Sequence, residues 1–307
     1  MTALLVRLLL FASLLALRAP AQPTAGDTEG EIDVGGRARR YLLHIPPGYD
    51  AADAPVPLVV SLHGLISSAR QQAAISGLSD KADTAGFIVV YPQGLGVPTR
   101  WDTRPDTADE PNRDVAFIRA LVAQLQADLN IDPARVYVTG LSNGGGMTNR
   151  LGCDAADVFA AIAPVAGAYT FWEDCEPARP VPVIAFHGTD DPIVPYEGAA
   201  AREFIPGLSL PPVPEWAAGW AVRNDCGPAS TVTVESFETG DVVIEAWGGC
   251  AAGAEVTLYT VGGVGHVWPG GPDLPLVGNG TGPVNASDVI WAFFEAHPMP
   301  APGGQDD

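Results

Sequence analysis

Lysine is nearly absent: the 307-residue chain has one, Lys81. Its 16 lysine and arginine residues face 36 aspartate and glutamate residues, for a formal net charge of -20. Such a surface repels nucleic acid, whose binding rests on cations neutralising phosphates. It disfavours anionic membranes for the same reason. Cysteine is scarce, with only Cys153, Cys175, Cys226 and Cys250. None forms a C-x-x-C pair and no histidine stands close to any of them, which removes the usual structural zinc patterns. No metal and no cofactor is expected. After the first 21 residues, no apolar run approaches the roughly 20 residues of a membrane-spanning helix.

The N-terminus has what the rest lacks. "MTALLVRLLLFASLLALRAPA" carries an early Arg7, an apolar run and a small-x-small end at Ala19-Pro20-Ala21. This is the pattern of a secretory signal peptide. Its removal, with Arg7 and Arg18 and no acid, takes the net charge to -22. No cysteine lies near the cleavage point to take a lipid. Export implies an extracellular or periplasmic protein without a stable membrane anchor, in a compartment that permits disulfides. Four cysteines allow three connectivities. Pairing of neighbours, Cys153–Cys175 and Cys226–Cys250, is the expectation. The chain divides into a signal peptide (1–21), a flexible mature N-terminus (22–31), one catalytic domain (32–298) and a disordered tail (299–307). A monomer is expected.

Within the domain, "RRYLLHIP", "PVPLVVSLHG", "FIVVYP", "RVYVTG", "AAIAPVAG", "VPVIAFHG" and "AEVTLYTV" read as strands. Most are apolar throughout, as strands buried on both faces are. "LSDKADTAG", "PNRDVAFIRALVAQLQADLN", "VPEWAAGWAVRN" and "NASDVIWAFFEAH" read as helices, the second starting near Pro111. "STVTVESF" and "VVIEAWG" read as a hairpin turning near Thr239 and Gly240. Strands alternating with helices indicate an α/β fold with a mostly parallel central sheet flanked by helices.

One stretch, "YVTGLSNGGGMTNR", poses the chemical question. A phosphate loop would need a lysine after its last glycine, and Lys81 is far away. The G-x-G-x-x-G spacing of dinucleotide sites is missing too. Gly140-Leu141-Ser142-Asn143-Gly144 does fit G-x-S-x-G, in which the serine sits on a sharp strand-to-helix turn. The chain around it, "RVYVT" before and a helical segment after, supplies the required context. On that α/β-hydrolase fold the order along the chain is Ser, then Asp or Glu, then His. Of five histidines, His44 and His63 precede Ser142. His187 leaves no room for an acid before it, and His297 closes the last helix. His266, in the glycine-rich "VGGVGHVWPGG", is the expected base. The acid is Asp190 or Asp191 in "HGTDDPIVPY", and spacing leaves the two open. An oxyanion needs two donors; the amides of Asn143 and Leu65 are the candidates. Trp101 and Trp268 are candidate substrate-binding walls.

Taken together, "LHG", "RVYVTGLSNGG", "AAIAPVAG", "FHGTDDPIVPY", "GHVWPGG" and "NASDVIWAFF" resemble the secreted poly(3-hydroxybutyrate) depolymerase and feruloyl esterase family of α/β-hydrolases, from about Arg40 to His297. The resemblance implies that the acid precedes P-x-V-P, which selects Asp191. It implies Ser142 as nucleophile, His266 as base, and ester hydrolysis without a metal or cofactor. The implied substrates are feruloyl or acetyl esters, or polyesters such as polyhydroxybutyrate. A peptidase on the same fold and an inactive binding protein are the competing readings. One departure stands out: where the family often continues with methionines and an aromatic, this chain has Gly146, Met147 and Asn149.

Overall fold

A computed structural model describes residues 24–167, 169, 175–199, 209–274 and 277–300. The expected signal peptide and residues 301–307 of the expected tail lie outside the described residues. No described helix is long and apolar enough to cross a membrane.

The apolar runs form the middle of one sheet. Strands β3 (Val56–Leu62), β4 (Ile88–Pro92), β5 (Ile131–Leu141), β6 (Ala161–Val165), β7 (Val183–Gly188) and β10 (Val256–Val261) lie parallel in the order β4-β3-β5-β6-β7-β10. Antiparallel strands extend both sides: β1 (Gly26–Asp33) and β2 (Ala38–Ile45) next to β4, β9 (Gly240–Trp247) and β8 (Thr231–Phe237) next to β10. Alternate residues feed opposite cores, as the two-residue strand period requires. Leu58, Val60 and Leu62 of β3 join one core, and Val59 joins the other. The first core is closed by α3 (Arg113–Asp128), α4 (Asn143–Asp154) and α5 (Val213–Arg223). The second is closed by α1 (Ala69–Ser76), α2 (Leu78–Ala85) and α6 (Ala286–Ala296). This is the α/β-hydrolase layering anticipated from the strand–helix alternation.

Two boundaries differ from the sequence reading. Residues 26–33, expected within or beside a flexible N-terminus, form β1 and pair with β2 from Gly26↔Ile45 to Asp33↔Ala38. An exposed edge strand has no buried face to demand apolar residues, so its acidic sequence resembles a tail. Helix α3 starts at Arg113 rather than Pro111, because the Asn112 side chain accepts from the amides of Asp114 and Val115. Pro111 therefore stands one residue before the cap. Helix α1 carried no recognisable apolar stripe, yet Ser68 caps it by accepting from the Gln71 amide.

The disulfides are Cys153–Cys175 and Cys226–Cys250, the neighbour pairing. Each closes a loop of just over twenty residues, 22 and 24 positions apart. Each is worth about 2–4 kcal/mol in small domains.

The unusual Asn149 also finds its reason. It is buried in α4, and its Oδ1 accepts from both Trp216 Nε1 (3.1 Å) and Trp220 Nε1 (2.9 Å) of α5. One amide thus satisfies two indoles that a hydrophobic side chain would leave unpaired. Asn149→Leu is expected to lower stability by about 2–4 kcal/mol, since each stranded buried donor costs about 1–3 kcal/mol; urea unfolding measures it.

His44 of β2 ties the N-terminal strand to a helix, with Nδ1 2.7 Å from Asp27 of β1 and Nε2 2.8 Å from Asp83 of α2. Burial lowers its pKa, but hydrogen bonds and charge from Asp83 and Asp27 outweigh it, so the pKa is raised. A raised folded pKa stabilises below the unfolded value of about 6.5, and the contribution fades as pH climbs through the folded value. The stability gap between wild type and His44→Gln should therefore be larger at about pH 5.5 than at about pH 8.5.

Candidate active site

Ser142 follows the end of β5 and caps α4 with φ 59° and ψ -118°. Non-glycine residues seldom occupy this region, and its strain persists only where surroundings impose it. Three glycines supply the imposition. A Cβ on Gly144 would stand 2.2 Å from the Leu62 carbonyl oxygen and 2.7 Å from that of His63. One on Gly140 would stand 2.6 Å from the Gly144 oxygen, and one on Gly145 2.7 Å from Gly167 Cα. Helix α4 thus lies against the end of β3 with no side chain between. The Ser142 amide donates to Val165 O at 3.0 Å, and Gly146 N closes the first helical turn on Ser142 O at 2.9 Å.

The loop after β3 faces this turn. A Cβ on Gly64 would be 3.4 Å from Ser142 Cβ. His63, fully buried, fixes the loop: Nδ1–H donates to Gly64 O at 2.7 Å, and Nε2 accepts from Gly94 N at 2.9 Å. A neutral ring satisfies both bonds, in keeping with a pKa lowered chiefly by burial. The Leu65 and Asn143 amides, on either side of the Ser142 turn, donate to no other described residue. Asn143 starts α4, where backbone donors point outward.

Asp191 lies three residues beyond β7, and His266 five residues beyond β10. Asp191 Oδ2 accepts from His266 Nδ1 at 2.7 Å. Its Oδ1 accepts from the amides of Ile193 (2.8 Å) and Val194 (2.7 Å). Burial alone would raise the Asp191 pKa, but hydrogen bonds and charge from His187 and His266 hold the carboxyl well below the usual range. Asp190 is exposed and accepts only from the neighbouring Thr189 hydroxyl, at 2.9 Å. With Nδ1–H engaged by Asp191, the neutral His266 ring keeps its lone pair on Nε2. No hydrogen bond joins Nε2 to Ser142 Oγ among the described residues. Such contacts are often long in unliganded enzymes and tighten around substrate. All three residues follow the carboxyl ends of parallel strands, the edge where open α/β sheets carry their sites.

Two groups had no signal in the sequence. His187 is buried behind the acid: Nε2 donates to Val194 O at 2.8 Å and lies 3.4 Å from Asp191 Oδ2. It braces the loop that aims Asp191. Asn143 forms a reciprocal pair with Trp101, whose amide donates to Asn143 Oδ1 at 2.7 Å while Asn143 Nδ2 donates to Trp101 O at 3.2 Å. The Asn143–Trp101 pair joins residues 42 positions apart, so only a fold reveals it, whereas the His187 contacts are local, seven and four positions away.

Both candidate tryptophans lie in the interior. Trp101 is 2% exposed and donates through Nε1 to His63 O at 2.9 Å. Trp268 is 1% exposed and donates to the Ser287 hydroxyl at 3.0 Å. Each indole packs in the interior and donates to a buried acceptor, and Trp101 also bonds Asn143 beside the Ser142 turn.

A model of the esterase PHB depolymerase family matches residues 39–212. The chain belongs to that family. The matched span holds Ser142 and Asp191, while His266 lies beyond it. Family membership makes the protein an esterase, a carboxylic ester hydrolase. It is 35% identical over 279 residues to NocK of Nocardia uniformis subsp. tsuyamanensis, which bears the name of esterase provisionally, covering 82% of this chain and 78% of the relative. It is 31% identical to feruloyl esterase C of Emericella nidulans over 90% of this chain and 89% of that one. Feruloyl esterase B of Piromyces equi is 32% identical across 74% of this chain, which spans 42% of that larger protein. The acetyl xylan esterase of Aspergillus awamori superposes with a TM-score of 0.63 at 18% identity, over 87% of this chain and 99% of that one, a likeness of fold.

Asp191→Asn should cost roughly 10³–10⁴-fold in kcat, because His266 would lose its orienting charge. Asp190→Asn should change kcat by less than about threefold, since a solvated turn carboxylate adds little. Ester hydrolysis by both purified variants checks the ranking.

Proposed function

We propose that the protein is a secreted serine esterase that works through an acyl-enzyme on Ser142, with His266 as general base and acid and Asp191 as its orienting carboxylate. The observation that carries this is the 2.7 Å bond between His266 Nδ1 and buried Asp191 at the sheet edge where strained Ser142 emerges. His266 Nε2 takes the Ser142 proton as Oγ attacks the ester carbonyl. The oxyanion is held by the Leu65 and Asn143 amides, two donors already fixed before substrate arrives. The imidazolium, balanced by ionised Asp191, protonates the leaving alcohol. Water then enters, gives a proton to His266, attacks the acyl carbonyl, and frees Ser142 and the carboxylic acid. Every step moves a proton or an acyl group among these side chains, the ester and water.

The substrate class is a feruloyl or acetyl ester on plant polysaccharide. The names of the relatives support it, as does export signalled by residues 1–21. That segment would leave a mature chain from residue 22. Polyhydroxybutyrate and aromatic polyester are the other substrates the family invites. The test is a rate panel with p-nitrophenyl acetate, methyl ferulate, acetylated xylan, polyhydroxybutyrate and a fluorogenic peptide. Acetylated xylan or methyl ferulate should exceed the polyester by at least about tenfold in kcat/KM; the reverse order reassigns the substrate. Ser142→Ala and His266→Ala should each lose roughly 10⁴-fold or more in kcat with unchanged melting temperature. Near-native turnover in either folded variant would refute the mechanism.

A further inference from the structure

Basic residues are rare here, and almost all are already engaged. Among the described residues, Arg39, Arg40, Arg70, Arg104, Arg119, Arg135, Arg150 and Lys81 pair with carboxylates. Arg179 and Arg223 donate to backbone carbonyls. The remaining three, Arg37, Arg100 and Arg113, have exposed side chains that bond to no described residue. They do not scatter over the surface. All three line one cleft of about 600 Å³, formed by the turn between β1 and β2, the loop before Trp101, and the start of α3.

The cleft has a positive surplus. Its two acids are spoken for: Asp114 accepts from Arg39 at 2.7 Å and from the Asp102 amide at 2.8 Å, and Asp102 accepts from Arg104 at 2.7 Å. Arg39 also lines the cleft and is 3% exposed. Its guanidinium packs over the Phe117 ring at 3.8 Å, yet its buried Nε–H has no partner. A buried guanidinium N–H without a partner among the described residues, beside three unpaired arginines, is a cost that an incoming acceptor would relieve. In a chain of net charge -20, local repulsion and scarcity both argue against this grouping as mere surface decoration.

The cleft adjoins the site. The segment between Leu95 and Asp102 lines it, and in that segment Thr99 O accepts from Ile66 N of the oxyanion loop while Trp101 N bonds Asn143. We infer that the cleft is a subsite for carboxylates of an acidic glycan chain, gripped beside the ester that Ser142 attacks. Guanidinium forks match planar carboxylates with paired hydrogen bonds. An otherwise acidic enzyme needs such a patch to hold an acidic polymer at all. The inference rests on the esterase reading of Ser142 and names its substrate further, as an ester on a uronate-bearing polysaccharide.

The test reads binding apart from turnover. Calorimetry of the full-length protein would use a glucuronic-acid-substituted xylo-oligosaccharide, the unsubstituted xylo-oligosaccharide of equal length, and inorganic phosphate. The acidic oligosaccharide should bind more tightly than the neutral one, and should weaken as NaCl rises from about 0.02 to about 0.3 M. Arg37→Gln/Arg113→Gln should reduce that affinity about tenfold, with the melting temperature unchanged. The same variant should raise KM for acetylated glucuronoxylan relative to acetylated neutral xylan, leaving the ratio of kcat values alone. Equal affinity for acidic and neutral oligosaccharides would overturn the inference. So would phosphate binding without carboxylate binding, or an affinity unmoved by the double substitution. If binding behaves as expected but no ester is hydrolysed, the esterase mechanism fails and the subsite stands.

Discussion

Backbone contact between α4 and the end of β3 is the constraint on which the site depends. Gly144 lies so near the carbonyls of Leu62 and His63 that no side chain fits between them. That approach holds Ser142 at a φ of 59°, a conformation the residue would abandon in a free chain. It also brings the Asn143 amide and the loop after β3 to the same turn. The strain is carried by the largest ordered unit in the molecule, the parallel sheet with its two cores. A serine on a flexible loop could not be held so; here the sheet fixes it.

Around this turn the protein uses buried polar groups to fix buried polar groups. Asp191 gives one oxygen to its own loop and the other to His266. His187 braces the same loop through Val194 O. On the other side His63 satisfies both ring nitrogens, its carbonyl receives Trp101, and Trp101 clamps Asn143. Apart from His187 Nδ1, which has no partner among the described residues, the side-chain polar atoms of this network are paired, and in a low-dielectric interior pairing favours rigidity. The His63–Trp101–Asn143 side reaches the Ser142 turn through consecutive hydrogen bonds.

Much of this was legible in the chain, and particular residues show why. The buried strands announced themselves because each is apolar on both faces, a pattern that survives without knowledge of neighbours. Gly140, Ser142 and Gly144 were readable because the elbow's residue pattern is local, five consecutive positions, even though the backbone it packs against is remote. Strand β1 was not readable, since an edge strand exposed to water has no composition to distinguish it from a tail. Helix α1, held by its Ser68 cap and a few buried residues, left equally little trace. The interior placement of the tryptophans left no trace in the sequence for a related reason. The bond from the Trp268 indole to Ser287 joins two segments whose meeting depends on the fold.

The sequence by itself determined the layered α/β architecture, the serine on its turn, the candidate histidine and the scarcity of cations. Those are properties of short windows or of simple counts, where steric exclusion and burial act residue by residue. Only the tertiary structure decided that Trp101 pairs with Asn143, that Asn149 serves two indoles, and that the three unpaired arginines share one cleft. Each of those joins segments tens of residues apart, and the distances between such segments are set by how strands order themselves in the sheet. Spacing along a chain carries no trace of that order until the chain has folded.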